Sequence, residues 1–390
     1  MKSSEKQLVM GRRGALKMLG LSSAAMLSVG LTDVLAKEPK TDTPKPKGPP
    51  AESRSSVAFT TGTERRQMMF EVMKPFESEI KAALKKKQLI IKPNMVVTNT
   101  PLCATHPDAL RALLEFIKPM YKGQIIIAES SSSVNSAEGF KAYGYLDLAK
   151  EFNLKFFDMN TESTGTPVYI VDRDLHLDKI QASNVLTDPN NYVISLSRLK
   201  THNTVIMTGA IKNLAMAAPL NPGTVAGAAR PISYKRNMHS GGSRFLHYNI
   251  FVMTPYVKAD FAIIDGLEGM EGNGPISGTK VDHKIAMASF DPVAIDSMAA
   301  RLMGIPLEDV GYLNYLAAGG IGNIDKAKID IIGGKDPEKS IIVYKQPPNI
   351  KSQMEWKDPL PTPPRQGAPN QPAPAAPAPG APAQQQQRQN

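Results

Sequence analysis

Residues 192–214, which read YVISLSRLKTHNTVIMTGAIKNL, concentrate side chains that can do chemistry. The apolar start of this stretch predicts a short buried strand, and Lys200, His202, Lys212 and Asn213 follow that strand. Open α/β sheets bind ligands just beyond the carboxyl ends of their strands. We therefore predict that Lys200 and Lys212 polarise an anion, that His202 acts as acid, base or ligand, and that Asn213 binds substrate. A solvated basic loop after a strand is the alternative.

Two earlier stretches place polar side chains at comparable positions. Lys92 and Asn94 follow an apolar run at 89–91, which predicts a second buried strand. His106 comes just before a proline and the apolar segment 109–117, a pattern typical of a helix N-terminus, where exposed amides favour an anion. We predict that these three side chains bind substrate. A histidine at a helix start also serves as a structural cap, which is the alternative for His106.

A run of serines follows the next predicted strand. Residues 124–128 form that strand, and Glu129 is followed by four serines that begin with Ser130 and Ser131. Small hydroxyl residues between a strand and a helix can cradle a phosphate or carboxylate, so we predict that Ser130 and Ser131 bind substrate. The run lacks the glycines of a P-loop, and a serine-rich turn without a ligand is the alternative.

Acidic residues near predicted strand ends are candidate metal ligands. They are Glu129, Asp265 and Glu271, and the last two lie in the glycine-rich segment DGLEGMEGNGP. Carboxylates on a flexible backbone suit a divalent cation, although their spacing is not that of an EF-hand. The alternative is that these acids only form ion pairs with Lys200 and Lys212.

Two predicted helices bear on the same region. Apolar residues at helical spacing over 64–87 predict an amphipathic helix with a bend at Pro75. A later helix carries Asp296 on its apolar face. A buried acid needs a partner, and we expect Lys200 or Lys212 to supply it.

Five motifs carry a resemblance to a known family. In chain order they are KPN at 92–94, THP at 105–107, RLKTH at 198–202 followed by TGAIKNL at 208–214, DGLEGMEGNGP at 265–275, and DPVAID at 291–296. Through these motifs the chain resembles the domain of unknown function 362 family over residues 57–335. The resemblance implies no particular reaction. Many members of that family carry a ferredoxin-like cysteine cluster, but this chain has only Cys103, so their iron–sulfur label does not carry over.

Charge and cysteine content limit the classes of function. The 390-residue chain has a formal net charge of +10 and 1 cysteine. A single cysteine excludes an intrachain disulfide, and it excludes a cysteine-ligated zinc site or iron–sulfur cluster from this chain alone. The basic residues are dispersed and match no nucleic-acid-binding motif, so we predict no nucleic acid partner and expect an anionic small molecule.

The first 36 residues resemble a twin-arginine export signal. Arg12 and Arg13 precede an apolar stretch interrupted by glycine and serine, and VLA at 34–36 suits a signal peptidase. We expect a periplasmic or otherwise exported protein, with the twin-arginine export machinery as a partner and no stable transmembrane span after processing. A retained membrane anchor is the alternative, but the stretch is short beside the ~20 apolar residues that a span requires.

Composition divides the chain into four segments. We predict a signal peptide at 1–36, a flexible linker at 37–56, an α/β domain at 57–346 and a disordered tail rich in Pro, Ala and Gln at 347–390. Alternating strands and helices predict a mostly parallel layered sheet flanked by helices. Segment 221–245 is long and polar, and we expect a lid-like loop over the site.

These patterns favour a protein that binds, and acts on, a carboxylated or phosphorylated small molecule by acid–base or metal-assisted chemistry. Two alternatives stay open. One is a non-catalytic binding or cofactor-carrying module, and the other is a structural partner of an envelope redox complex. The sequence identifies neither the reaction nor the cofactor. A divalent metal ion is the candidate cofactor.

Overall fold

Strands and helices alternate along the chain, as the sequence predicts. A computed structural model describes residues 54–133, 135–221, 223, 233–257 and 259–360. Its strands are β1 (Ser55–Thr61), β2 (Gln88–Pro93), β3 (Ile125–Glu129), β4 (Leu154–Asp158), β5 (Thr166–Val171), β6 (Leu177–Ala182), β7 (Asn191–His202), β8 (Ile206–Thr208), β9 (Phe261–Asn273), β10 (Ser277–Val281), β11 (Ile285–Ser289) and β12 (Ile329–Ile332). Its α-helices are α1 (Arg65–Met73), α2 (Glu77–Leu84), α3 (Pro107–Ile117), α4 (Ser136–Ala142), α5 (Asn184–Thr187), α6 (Ala210–Ala215), α7 (Tyr234–Met238), α8 (Gly242–Met253), α9 (Pro292–Leu302), α10 (Gly311–Ala318) and α11 (Ile350–Gln353). The predicted signal peptide lies outside the described residues, as do 37–53 of the linker and 361–390 of the tail.

One mixed sheet organises the described residues. Its strand order is β12-β1-β11-β9-β7-β2-β3-β4, with β8 paired to β7 and β10 paired to β9. Strands β4, β3, β2, β7 and β9 are joined by parallel pairs. Along the eight-strand order, β11 runs against the rest because it pairs antiparallel with both β1 and β9. The predicted mostly parallel sheet is confirmed, and the carboxyl ends of β2, β3 and β7 meet at one edge.

Helices cover both faces of this sheet. On one face Met69 of α1 and Leu113 of α3 share a buried core with Ile91. On the other face Ile295 of α9 shares a second core with Ile90. Neighbouring residues of β2 thus enter opposite cores, as the two-residue period of a strand requires. Each such side chain contributes ~1.5–3 kcal/mol through burial. The result is a layered α/β fold.

Strand β7 is buried along all 12 of its residues and still carries polar side chains. It pairs with β2 on one side and β9 on the other, and its register with β9 shifts between Arg198 and Lys200. A central strand covered on both faces is normally apolar throughout. Ser195, Lys200 and His202 break that pattern, so each of them needs a partner or a cavity.

The segment expected to be a lid-like loop is helical over most of its described part. Residues 222 and 224–232 lie outside the described residues, whereas α7 and α8 begin at Tyr234 and Gly242. Leu246 and Ile250 of α8 are fully buried in the core. Their spacing of four residues is helical, but the glycine-rich and polar residues before them obscured where the helix begins.

The ordered chain extends beyond the boundary predicted at 347. Gln353 of α11 is fully buried, and its Oε1 accepts a hydrogen bond from the Ile206 amide at 2.6 Å. The indole of Trp356 donates to the carbonyl oxygen of Asp309 at 2.8 Å. A polar anchor and one aromatic residue show no apolar periodicity, which is why composition placed this segment in the tail.

Candidate functional site

A cavity of about 290 Å³ opens where the carboxyl ends of β2, β3 and β7 meet α6 and α7. The residues that line it include most of the predicted site, namely Lys92, Asn94, Glu129, Ser130, His202, Lys212 and Asn213. Thr208, Lys235 and His239 line it as well. The parallel order of the three strands therefore gathers residues that are far apart in sequence.

Lys92 is held by three acceptors at the cavity wall. Its Nζ donates to Glu129 Oε2 at 2.9 Å, to Asn213 Oδ1 at 2.6 Å and to the Pro93 carbonyl at 2.8 Å. Lys92 and Glu129 are both buried. An ammonium has three N–H donors, so none remains for a ligand. The predicted substrate contact of Lys92 is therefore replaced by an ion pair, and Lys92 contributes to the cavity only through its field.

Lys200 lies behind the cavity and touches no carboxylate among the described residues. Its Nζ donates to the Asn94 side-chain oxygen and to the Cys103 carbonyl at 2.5 Å. Asn94 in turn donates to Asn213 Oδ1 at 3.0 Å, which links it to the cavity wall. Burial lowers the pKa of Lys200 to about 7. Its partners are neutral, in contrast to the expected pairing with an acid.

Lys212 lines the cavity without a hydrogen-bond or ion-pair partner among the described residues. Helix α6 presents it, its side chain is buried, and no hydrogen bond or ion pair to it is found within the described part of the chain. Burial is the largest influence on its pKa, followed by the charges of Lys200 and Lys92, and together they lower it to about 7. The amine can therefore gain or lose its proton near neutral pH.

His202 and Thr208 offer two further donors. The Nδ1 atom of His202 accepts the Thr204 amide at 3.0 Å, and burial together with the charge of Lys212 holds the imidazole pKa well below its usual range. A neutral ring that accepts at Nδ1 carries its proton on Nε2, so Nε2–H is left as a donor. The hydroxyl of Thr208 is buried and has no hydrogen-bond partner among the described residues.

The two serines that follow β3, Ser130 and Ser131, have different surroundings. Ser130 lines the cavity, and its hydroxyl accepts from Lys235 Nζ at 2.5 Å. Ser131 is turned towards α4, where its amide donates to the Ser136 hydroxyl at 2.9 Å. Its carbonyl accepts from Lys235 at 3.3 Å. Sequence reasoning did not single out Lys235, because its only signal was a basic residue in a segment without clear periodicity.

His106 does not reach this cavity. It caps α3, where its Nδ1 accepts the Asp108 amide at 3.2 Å. It lines a separate depression together with Arg198 and Glu268. The predicted helix start is confirmed, and His106 caps that helix, which is the alternative given for it above.

The three predicted metal ligands are dispersed. Glu129 is paired with Lys92, whereas Asp265 accepts from Arg65 at 2.9 Å and Glu271 accepts the Lys345 amide at 2.9 Å. Each acid thus satisfies a different cation or amide, so the structure does not bring them together as a ligand set. Within the described ranges, one group of three has its ligand atoms within 4.8 Å of each other, on the hairpin turn between β5 and β6, and it consists of Asp172, Asp174 and His176.

Asp296 fixes the helix that carries Lys212. Its carboxylate accepts the amides of Ala210 at 2.6 Å and Ile211 at 3.1 Å, at the start of α6. Neither expected lysine partner is bonded to it. Burial raises its pKa to about 7 despite these hydrogen bonds. The acid on the apolar face of α9 therefore positions α6 rather than neutralising a lysine.

Fold and cavity together define an α/β protein with a lysine-rich cavity at one edge of a mostly parallel sheet. Residues 89–301 match the family model described as domain of unknown function (DUF362). The match covers more than half of the chain, and the chain belongs to this family.

Two comparisons with known proteins give the extent of the likeness. The chain is 27% identical over 220 residues to Thylakoid-associated protein sll1697 of Synechocystis sp., and the aligned part is 55% of this chain and 63% of that protein, less than two thirds of its length. A crystal structure of a Thermotoga maritima protein from a structural genomics consortium aligns over 60% of this chain and 57% of its own, at 11% identity and a TM-score of 0.34. The fold assignment rests on the sheet order of this chain itself.

Among the described residues, no helix has both the length and the apolar character that a bilayer span demands.

Proposed function

We propose that the cavity binds a carboxylated or phosphorylated small molecule and that Lys212 and His202 act on it as an acid–base pair. The buried amine of Lys212, which has no protein partner among the described residues, carries this proposal. Burying an ammonium without a hydrogen-bond acceptor costs free energy. An anionic ligand would supply the acceptor that the described residues do not provide.

The charge balance of the lining supports an anion. Lys92, Lys212 and Lys235 line the cavity, whereas Glu129 is the carboxylate among the described lining residues. Since Glu129 is paired with Lys92, the remaining field is positive. A concave site with one sign of charge concentrates ligands of the opposite sign.

Three donors define the roles. Lys212 Nζ, His202 Nε2–H and the Thr208 hydroxyl are unused by the protein within its described part and belong to residues that line the same cavity. The ammonium would hold the anionic group, and the same nitrogen, with its pKa of about 7, can exchange a proton with the ligand near neutrality. His202 would donate to a neighbouring oxygen of the ligand.

The side chains available as metal ligands in the cavity favour acid–base chemistry over metal-assisted chemistry. Divalent cations prefer several carboxylate or imidazole ligands at one point. The described lining offers Glu129, which already binds Lys92, and the imidazoles of His202 and His239. A cation there would have to displace Lys92 and would meet the repulsion of three lysines.

Calorimetric titration with sulfate and with oxalate tests the proposal. Both anions keep a constant charge between about pH 6 and about pH 8.5, so a change in affinity reports on the protein. Lys212 is protonated below its pKa of about 7 and neutral above it, so affinity should fall as the pH rises through that value. If neither sulfate nor oxalate binds at about pH 6 or at about pH 8.5, the proposal is contradicted. Mass spectrometry of anything retained on the purified protein would identify the natural ligand.

We also propose that the protein is exported by the twin-arginine route. The support is the Arg12-Arg13 pair before an interrupted apolar stretch. Replacing both arginines by lysine should leave the precursor in the cytoplasm, as measured by cell fractionation. Replacing Lys2 and Lys6 by arginine is the matched control and should not affect export. Normal export of the Arg12→Lys, Arg13→Lys variant would contradict this route.

A further inference from the structure

Lys212 has the surroundings of a reactive amine rather than those of a structural lysine. Its side chain is 8% exposed, it lines the cavity, and it makes no hydrogen bond to any described residue. Lysines act as nucleophiles when they are desolvated in an apolar pocket or lie beside another cation, because both conditions favour the neutral amine. Lys212 meets both conditions.

The other lysines of this region are already bound. Lys92 donates to three acceptors, Lys235 donates to Ser130 and Ser131, and Lys200 donates to Asn94 and Cys103. The nitrogens of these three lysines act as hydrogen-bond donors, so attack by any of them would break contacts that the fold uses. Lys212 has no such contact to a described residue.

The other charged and titratable groups that line the cavity are Lys92 from β2, Glu129 from β3, His202 from β7, and Lys235 and His239 from α7. Lys200 of β7 lies behind the cavity. Burial, followed by the charges of Lys200 and Lys92, lowers the pKa of Lys212 to about 7. At neutral pH a substantial fraction of the amine is thus unprotonated, and the same lysines remain to attract an anionic group.

We propose that Lys212 forms an imine with a small carbonyl compound that carries a carboxylate or phosphate, of which the simplest class is the 2-oxo acids. The inference rests on the proposed function, because binding of the anionic group is what brings the carbonyl carbon to the amine. It adds a substrate class and a covalent step to the acid–base role of the site.

The step balances without any further reactant. The neutral amine of Lys212 attacks the carbonyl carbon and forms a C–N bond, and a proton moves from nitrogen to the oxygen to give a carbinolamine. The second amine proton and the hydroxyl then leave as water while the C=N bond forms. His202 Nε2–H donates a hydrogen bond to the oxygen as it takes up negative charge, and the Thr208 hydroxyl is a second donor.

Borohydride trapping with pyruvate tests the proposal on the full chain. Hydride transfer reduces the imine carbon and leaves a stable secondary amine, which peptide mapping by mass spectrometry locates. We expect the reduced adduct on Lys212, at a yield about tenfold or more above that of any other lysine. Dihydroxyacetone phosphate is the phosphate-bearing probe, and a Lys212 adduct with either compound supports the inference. Adducts spread over exposed lysines, or no adduct with either probe, would overturn it.

Two controls separate this inference from the binding proposal. Lys212→Met should abolish the adduct, whereas Lys86→Met, at an exposed helix end, should leave it unchanged. The wild-type peptide map does not depend on how either variant folds. If sulfate and oxalate bind but no Lys212 adduct forms, the covalent step falls and anion binding stands. If neither anion binds and no adduct forms, both fall.

Discussion

At the scale of single residues, more buried lysines than buried acids lie around the cavity. Lys92, Lys200 and Lys212 are buried, and Glu129 is the buried acid that pairs with Lys92. Burying a charged group is tolerable when it is paired and hydrogen-bonded, and expensive otherwise. Lys92 is paired with Glu129, whereas Lys200 donates to the neutral acceptors of Asn94 and Cys103. Lys212 has no partner among the described residues, and we infer from this difference that it is the lysine that binds a ligand.

Lys92→Met should destabilise the protein. The substitution leaves Glu129 buried without its cation, which costs on the order of 3 kcal/mol. Urea unfolding measures the loss. Adding Glu129→Gln to this variant should recover part of the stability, because the unpaired charge is then removed as well. Exposed Lys86→Met is the control and should stay within about 0.5 kcal/mol of the wild type. A Lys92→Met variant as stable as that control would contradict the ion pair.

Residue types at strand ends predicted much of the cavity, but not the partners within it. The reasoning that strand exits converge brought Lys92, His202 and Lys212 into one group, and the structure has them around one cavity. It also included Asp265 and Glu271, which bind other cations. Side chains alternate across a strand, so a shift of one residue in register exchanges the two faces, and sequence alone does not give the register.

At the scale of elements, α6 is positioned by an acid from another helix. The carboxylate of Asp296 accepts two amides at the start of α6, and Gly209 precedes that helix. A methyl group at Gly209 would come within 2.3 Å of Asp296 Oδ1. The close approach of α6 to α9 therefore depends on glycine, and the position of Lys212 depends on that approach.

Gly209→Ala should lower both stability and anion affinity. The added carbon displaces Asp296, and such overpacking costs about 1–3 kcal/mol. The same displacement moves Lys212 relative to the cavity. Urea unfolding and sulfate titration measure the two effects. Gly319→Ala is the control, since its added carbon would lie 3.1 Å from the Phe251 ring at an exposed helix end, and it should leave sulfate affinity unchanged. Unaltered affinity in Gly209→Ala would contradict the positioning role.

Strongly periodic elements were predictable, and those with mixed composition were not. The helix expected over 64–87 is present as α1 and α2, and the break falls at a 3-10 turn, 74–76, that contains Pro75. Proline lacks the amide that an unbroken helix needs, so this outcome follows from local chemistry. Helix α8 was missed because tertiary packing of a few apolar residues, rather than propensity, stabilises it.

At the scale of the whole molecule, a short C-terminal segment closes the core. Gln353 satisfies the amide of Ile206, next to the strands that carry the site, and Trp356 packs near His247 with ring centroids 5.8 Å apart. Gln353 lies 147 residues from Ile206 in the chain. Composition and periodicity are local properties, so they indicated the general α/β plan but not this distant closure.

Two truncations test where the fold ends. Removing residues from 361 onwards should leave the thermal midpoint within about 2 °C, because that composition offers no apolar face to bury. Removing residues from 348 onwards leaves the Ile206 amide unsatisfied, at a cost of about 1–3 kcal/mol, and exposes the surface under Trp356. The midpoint should then fall by several degrees, as calorimetry would show. Equal midpoints for both truncations would contradict the role of this segment.

The central claim, that Lys212 is kept unpaired in a buried cavity for a ligand, is tested most directly by measuring unfolding and anion binding on one variant. Lys212→Met keeps the length of the side chain and removes its charge. The account predicts a free energy of unfolding in ligand-free buffer equal to or above that of the wild type, together with loss of sulfate and oxalate binding. A fall in stability on the order of 3 kcal/mol would instead mean that Lys212 neutralises a buried acid. That result, or undiminished anion binding by the variant, would contradict the account.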